Sequence, residues 1–225
     1  ESVWQRLRER VPERTGVLIL DGTSFPKQGT ASVGVARQYC GARGKVGTCQ
    51  TAVTVALWTG VRAWLLGATL YLPEEWLTAR QRARARIPAT VVFAPKWQLA
   101  LTLLRQVRAA GFTVTAVVGD AEFGDNATLR RVLHRAKLPY ALGVSSDLKV
   151  FLGTPVLEAP VPLTGKGRPR TRRLLPPDTH TLEARAWAAT QTPQRWRLVA
   201  WRNGTNAPWR ARFCAIRVTP AHDWR

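Results

Sequence analysis

Two aspartates, each directly after an apolar segment, are the residues of this sequence with the clearest potential for chemistry. Asp21 follows VLIL (17–20), and Asp120 follows TVTAVVG (113–119). Adjacent strands of a mixed sheet can end side by side, so the two carboxylates could share a hard cation such as Mg²⁺, which prefers oxygen ligands. Two such ions, about 3.5–4 Å apart, promote phosphodiester transfer. The pair therefore suggests a nuclease or strand transferase, while turn formation or helix N-capping stays open for each aspartate alone.

The elements that must position these residues follow an α/β pattern. Apolar and β-branched segments predict strands at 17–20, 49–60, 62–73, 112–120 and 139–144, the second and third forming a hairpin around Gly60. Periodic or charge-polarised segments predict helices at 73–87, 95–111 and 125–138, the last with Asp125 or Asn126 as N-cap. An antiparallel opening followed by βαβ units indicates a mixed sheet with helices packed on it.

The pattern changes after about residue 146, where helical periodicity is weak. The segments 195–204 and 209–218 predict two strands, and Asn203-Gly204 between them is a hairpin signal. We therefore expect a core in residues 1–145 and a β-rich module in residues 146–225.

The composition points to a polyanionic partner. The chain has 34 Lys and Arg against 14 Asp and Glu, a net charge of +20. Nucleic acid is the commonest partner of so basic a domain, although a GC-rich genome also raises the arginine content. Three cysteines argue against a disulfide scaffold, and Cys40 and Cys49 lack the spacing of a zinc knuckle. No apolar run approaches the length of a membrane helix. The absence of Met indicates a piece of a longer protein.

Several blocks resemble bacterial DDE transposases of the insertion sequence 701 group, relatives of the insertion sequence 4 group. The main block is DGTSFPKQGTASVGVARQYCGARGKVGTCQTAVTVAL (21–57). LYLPEEW (70–76), GDAEFGDNATLRRVL (119–133) and WRNGTNAPWRARFCAIRV (201–218) follow in family order. The resemblance implies a ribonuclease-H-like mixed sheet with flanking helices, plus a β-rich insertion module. It also implies metal-dependent DNA cleavage and strand transfer, with two Mg²⁺ or Mn²⁺ ions in the complete site.

The resemblance implies that Asp21 and Asp120 are catalytic and bind the metal. Two departures occur: Gly22 stands where the family often has a second Asp, and the segment that carries the family's third acidic residue does not appear by residue 225. Glu122 is a weak substitute for that residue, and Asp125 is better explained as a helix cap. The alternative function is therefore a catalytically inactive remnant that binds DNA. An RNA-binding basic protein is a weaker reading, because no aromatic platform motif is visible.

Basic residues near these motifs are candidates for DNA contacts. Lys27 lies in the turn after the first aspartate, and Arg43 and Lys45 lie in a glycine-rich loop whose amides could also reach phosphate. The loop 165–173 adds Lys166, Arg168, Arg170, Arg172 and Arg173. A solvated turn explains Lys27 equally well, and a solvated charge run explains the loop 165–173 equally well. The expected partner is double-stranded DNA, at element ends and target, in the bacterial cytoplasm at the nucleoid, without membrane contact. A homodimer on paired ends is implied by the resemblance alone.

Overall fold

The computed structural model describes residues 3–156, 158, 175–176, 179–205 and 207–221. It divides the chain into two compact units, Glu1–Val144 and Ser145–Arg225. The elements of the first unit, in chain order, are α1 (Val3–Arg10), β1 (Thr15–Pro26), β2 (Ala36–Cys40), β3 (Lys45–Trp58), β4 (Ala63–Leu70), α2 (Ala79–Ala85), α3 (Lys96–Ala109), β5 (Thr113–Gly119), α4 (Ala121–Gly124), α5 (Ala127–Arg135) and β6 (Tyr140–Leu142).

One mixed sheet organises the first unit. Its strands run in the order β2-β3-β1-β5-β6, and β4 also pairs with β3. β1, β2 and β4 each pair antiparallel with β3, whereas β1 pairs parallel with β5, and β5 pairs parallel with β6. The long strand β3 pairs with β2 through residues 45–49 and with β4 through residues 52–58. This mixed sheet with flanking helices confirms the predicted α/β class and is consistent with a ribonuclease-H-like fold.

The core lies between the sheet and its helices. Leu18, Val55 and Leu57 are fully buried on the sheet. The face of α3 that packs on the same core consists of Ala100, Leu101, Leu103, Leu104 and Val107. These apolar residues recur three or four positions apart, so one side of the helix is apolar and seats on the sheet. Gly111, with φ of 88°, follows the end of α3 in the left-handed conformation and lets the chain turn into β5.

The structure corrects two of the predicted elements. β1 does not stop before Asp21 but continues to Pro26, because β3 supplies antiparallel partners along the whole segment. The predicted helix 73–87 is broken: residues 74–77 form a 3₁₀ turn, and α2 begins only after Thr78. Trp76 explains the break, since its buried indole donates a hydrogen bond to the Val35 carbonyl at 2.8 Å and holds the turn against the sheet. β2 and α4 were not predicted.

The second unit contains β7 (Lys149–Phe151), β8 (Leu182–Glu183), α6 (Ala184–Ala189), β9 (Arg197–Arg202), β10 (Trp209–Phe213) and β11 (Thr219–Pro220). Three short strands form a sheet in the order β11-β7-β8, and β9 and β10 form an antiparallel hairpin. The hairpin is the one predicted around Asn203-Gly204. α6 was not predicted. Among the described residues, every helix of the chain is too short or too polar to span a bilayer.

Candidate active site

The parallel pairing of β1 and β5 brings the two predicted aspartates side by side along the sheet. The register ends with Leu20 opposite Gly119, so Asp21 and Asp120 are the next residues along the two paired segments. There β5 ends and the chain turns into α4, whereas β1 continues along β3 with Asp21 opposite Thr54. The sequence prediction of a carboxylate at a strand end therefore describes Asp120 well, while Asp21 lies within its strand.

Both aspartates line one open pocket of about 420 Å³. Its lining consists of Asp21, Gly22, Ser24, Tyr39, Gly41, Thr51, Lys96, Asp120 and Glu122. These residues come from β1, β2, β3, α3, α4 and the turn after β2. The pocket thus lies where the parallel half of the sheet meets the antiparallel half, with three carboxylates and one ammonium group along its wall.

Backbone contacts hold each aspartate. Asp21 Oδ1 accepts a hydrogen bond from the Gly22 amide at 2.9 Å, and the Thr54 hydroxyl donates to the Asp21 carbonyl at 3.2 Å. Asp120 is the N-cap of α4, and its Oδ1 accepts from the Glu122 amide at 3.1 Å. The capping role that the sequence left open is therefore real for Asp120, and it coexists with a place in the pocket.

Glu122 and Lys96 form an ion pair inside the pocket. Glu122 Oε1 accepts a short hydrogen bond from Lys96 Nζ, and the side chains of Lys96 and Glu122 are 20% and 33% exposed. The same ammonium lies 5.4 Å from the ring centroid of Tyr71, within the range of a cation–π contact. Burial raises the pKa of Tyr71, and the nearby carboxylates of Glu74 and Glu122 raise it further. The phenol thus stays neutral and offers its ring face to Lys96.

The carboxylate of Glu122 fills the space above Gly22. A Cβ atom added at Gly22 would collide with Glu122 Oε2, the far end of a flexible side chain. Asp125, the other nearby acid, is the C-cap of α4 rather than the N-cap of α5. Asn126 has the N-cap role, since its Oδ1 accepts from the Leu129 amide at 2.8 Å. Of the two N-cap alternatives, the structure therefore selects Asn126.

The donor set fits a hard divalent cation in its chemistry. Among the described residues, carboxylates and hydroxyls line the pocket, and neither imidazole nor thiol does. Mg²⁺ prefers such oxygen donors and needs few protein ligands. Within the described residues, however, no group of three or more His, Cys, Asp or Glu side chains is arranged to hold a metal ion. Glu122 in particular is engaged by Lys96.

Of the predicted DNA-binding residues that the structure describes, Lys27, Arg43 and Lys45, none lines the pocket. Lys27 is half-buried after β1, where its amide donates to the Thr48 carbonyl at 3.0 Å. Arg43 and Lys45 are exposed, and their loop reaches the pocket only through Gly41, whose amide lies 3.4 Å from the Ser24 hydroxyl oxygen. Lys166, Arg168, Arg170, Arg172 and Arg173 lie outside the described residues.

Sequence reasoning missed Lys96, the pocket's cation. The signal was topological. α3 packs on the sheet and leads directly into β5, so its first turn must lie at the edge where β5 ends. A lysine at the start of α3 is therefore brought to the same edge as Asp120.

The mixed sheet with flanking helices is consistent with a ribonuclease-H-like fold, and comparison with known proteins identifies the family. The chain belongs to the DDE superfamily endonucleases, whose family model matches residues 1–208. It is also similar to the probable transposase for insertion sequence element IS701 from Microchaete diplosiphon. The two are 29% identical over 133 residues, which cover 58% of this chain and 32% of the relative. The chain thus spans about a third of the length of that curated relative. No solved structure gives a significant match.

Proposed function

We propose that the chain is the catalytic domain of an insertion-sequence transposase, which cuts DNA at the ends of its element and joins the 3′-hydroxyl ends to a target. The observation that carries the proposal is the β1–β5 register, which sets Asp21 beside Asp120 in one pocket. Membership in the DDE endonucleases and the similarity to a probable transposase support it. The net charge of +20 suits a DNA substrate.

Asp21 and Asp120 would hold the divalent ions, Mg²⁺ or Mn²⁺, of which two are expected in a complete site. When bound, such ions lower the pKa of a coordinated water or hydroxyl and stabilise the leaving oxyanion. The protein's own part is positioning. Strand β1 fixes Asp21 through the Thr54 contact, and the first turn of α4 fixes the Asp120 carboxylate. Misplacing reacting groups by about 1 Å can cost 10²-fold in rate, so these backbone contacts matter for catalysis.

A second candidate is a catalytically inactive protein that binds DNA. Its support is the ion pair in the pocket: Glu122, the third carboxylate of the wall, is engaged by Lys96. In either case the partner would be double-stranded DNA in the bacterial cytoplasm. We further propose that a homodimer assembles on paired element ends, and that residues 146–225 belong to a β-rich insertion of the catalytic domain.

The two candidates differ in whether DNA is cut. The 225-residue chain, and a chain extended by the segment that follows it in the coding DNA, should be incubated with Mg²⁺ or Mn²⁺ and DNA that carries the element's ends. Asp21→Asn and Asp120→Asn should reduce cleavage by at least about 10²-fold. Asparagine caps helices as well as aspartate does, so Asp120→Asn should leave α4 intact. The matched control is Asp147→Asn, which removes an exposed carboxylate in the second unit.

Cleavage that survives both pocket substitutions would contradict the proposed site. DNA binding without cleavage by either chain would favour the second candidate. Cleavage by the 225-residue chain that Asp120→Asn abolishes would mean that the pocket is competent without the family's third acidic residue from a later segment.

A further inference from the structure

We propose that Lys96 binds a phosphate of the DNA in this pocket. In the absence of DNA, Glu122 pairs with the Lys96 ammonium, and the phosphate displaces the Glu122 carboxylate. The inference rests on the proposed function, since it takes DNA as the substrate. It assigns phosphate binding to Lys96, and it makes Glu122 a competitor of the phosphate for the Lys96 ammonium.

The charges of the pocket require a cation. Asp21, Asp120 and Glu122 contribute three carboxylates to the lining, and within the described residues Lys96 contributes its one basic side chain. A phosphodiester that enters meets repulsion from each carboxylate that no metal ion neutralises. The ammonium donates up to three hydrogen bonds and accepts none, so it is the lining side chain best suited to an anionic oxygen.

Lys96 is held in a defined place. It occupies the first residue of α3, whose apolar face is buried against the sheet, so the helix cannot shift freely. The Tyr71 ring supports the ammonium on one side and Glu122 pairs with it on another. A long lysine side chain normally loses considerable rotamer freedom when it binds a ligand, and a restrained one loses less.

Glu122 is placed to yield. The Glu122 side chain is 33% exposed, and its carboxylate lies above Gly22, which has no side chain to pack against it. A phosphate oxygen can replace the carboxylate as acceptor, so Lys96 stays paired with an anion before and after the exchange. The exchange therefore avoids leaving a desolvated charge without a partner, which is the costly step in breaking a partly buried ion pair.

If the ion pair had only a structural role, the expected effect of losing Glu122 on DNA binding would have the opposite sign. If the pair only braces α3 against α4, loss of either partner should weaken the protein and its DNA binding in the same direction. If Glu122 competes with phosphate, loss of Lys96 should weaken DNA binding and loss of Glu122 should strengthen it.

The test measures the affinity of the 225-residue chain for duplex DNA over a series of salt concentrations. Each phosphate contact contributes about −0.9 to the slope of log affinity against log salt. Lys96→Gln should therefore reduce the magnitude of the slope by about 0.9, and Lys96→Arg, which keeps the charge, should restore it. Glu122→Gln should tighten binding at every salt concentration.

Matched controls separate a local contact from a general change of charge. Arg105→Gln removes one positive charge from the exposed side of the same helix, about 13 Å farther along it at 1.5 Å per residue. Glu13→Gln removes one negative charge from an exposed residue that precedes β1 and lies eight positions before Asp21. Arg105→Gln should leave the slope unchanged, and Glu13→Gln should tighten binding less than Glu122→Gln does.

The outcomes distinguish this inference from the proposed function. An unaltered slope in Lys96→Gln, or weaker binding in Glu122→Gln, would overturn the role of the pair while DNA binding itself stands. Should Lys96→Gln fail to fold, Glu122→Gln still decides the question by its sign, since tighter binding supports the exchange and unchanged or weaker binding overturns it. No DNA binding by the unaltered chain would overturn the proposed function, and this inference with it.

Discussion

At the scale of single residues, the position of Glu122 depends on the missing side chain of Gly22. Its carboxylate reaches the ammonium of Lys96 across a space that any Cβ at position 22 would enter. Gly22 lies within β1 and has no positive φ, so the backbone itself tolerates a side chain. The glycine therefore matters for space rather than for conformation, and it can be replaced without straining the strand.

Gly22→Ala should displace the Glu122 carboxylate from Lys96 and tighten DNA binding, as Glu122→Gln should. Because the two changes act on one contact, they should be non-additive, with a coupling of roughly 0.5–3 kcal/mol in a double-mutant cycle. Binding titrations of both single variants and the double variant measure it. Gly47→Ala is the control, since a Cβ there meets nothing within 4 Å. Full additivity would show that Gly22 and Glu122 act separately.

Tyr71 should make the protein less stable in alkali. Burial and the carboxylates of Glu74 and Glu122 raise its pKa, so the folded chain holds the phenolic proton more tightly than the unfolded chain does. This contribution to stability is complete below the unfolded pKa, about 10, and is lost as pH rises through the higher folded value. Urea unfolding between pH 9 and pH 11.5 should show a smaller alkaline loss for Tyr71→Phe than for the unaltered chain. The control is Tyr39→Phe, at a tyrosine that is 62% exposed; equal losses in all three proteins would contradict the prediction.

At the scale of elements, helix starts and strand ends place the functional groups. The N-caps of α4 and α5, Asp120 and Asn126, are only six residues apart, and each of these side chains accepts a hydrogen bond from an amide in the first turn of its helix. α5 then buries Leu129 and Leu133 in the core. The cap of α5 therefore stabilises the packing beneath the pocket, not just a surface turn.

Asn126→Ala should destabilise the protein by about 1 kcal/mol, within the usual range of 0.5–2 kcal/mol for loss of an N-cap. The Asn126 bond is 2.8 Å long and partly buried. Thr78→Ala is a matched comparison, because Thr78 caps the exposed helix α2 through a bond of 3.4 Å and should cost less. Urea denaturation of both variants measures the difference. A larger loss in Thr78→Ala would reverse the assigned order of the caps.

Sequence patterns predicted the elements that bury an apolar face and missed those held by contacts distant in sequence. α3 and the β3–β4 hairpin follow from periodicity and turn signals. The break before α2 does not, because it depends on Trp76 reaching the carbonyl of Val35, 41 residues earlier. The site divides in the same way. Asp21 and Asp120 follow apolar runs, whereas the contact of Lys96 with Glu122 appears only once α3 and α4 meet at one sheet edge.

At the scale of the whole molecule, positive charge is distributed along the chain. Residues 150–225 carry 13 basic and 4 acidic side chains, and the remainder carries 21 and 10. In the second unit, Arg210 and Arg212 lie two residues apart on β10, so they share one face of the hairpin, and both are exposed. Trp209 precedes them and packs edge to face on Trp201, with ring centroids 5.4 Å apart. The hairpin thus presents Arg210 and Arg212 on one surface, and the Trp201–Trp209 contact stabilises the two strands that carry this surface.

DNA binding by the whole chain should fall steeply with salt, and both units should contribute. If six to ten phosphates are contacted, affinity should drop by roughly 10³–10⁵ between 50 and 200 mM salt. Replacing Arg210 and Arg212 together by Gln should reduce the magnitude of the log–log slope by about 1.8, since each phosphate contact contributes about 0.9. The control replaces Arg105 and Arg108, two exposed arginines of α3, and removes the same charge. Because global net charge falls equally in both variants, only a direct contact separates their slopes. Equal slopes would assign DNA binding to other surfaces, and salt-independent binding would contradict an electrostatic interface altogether.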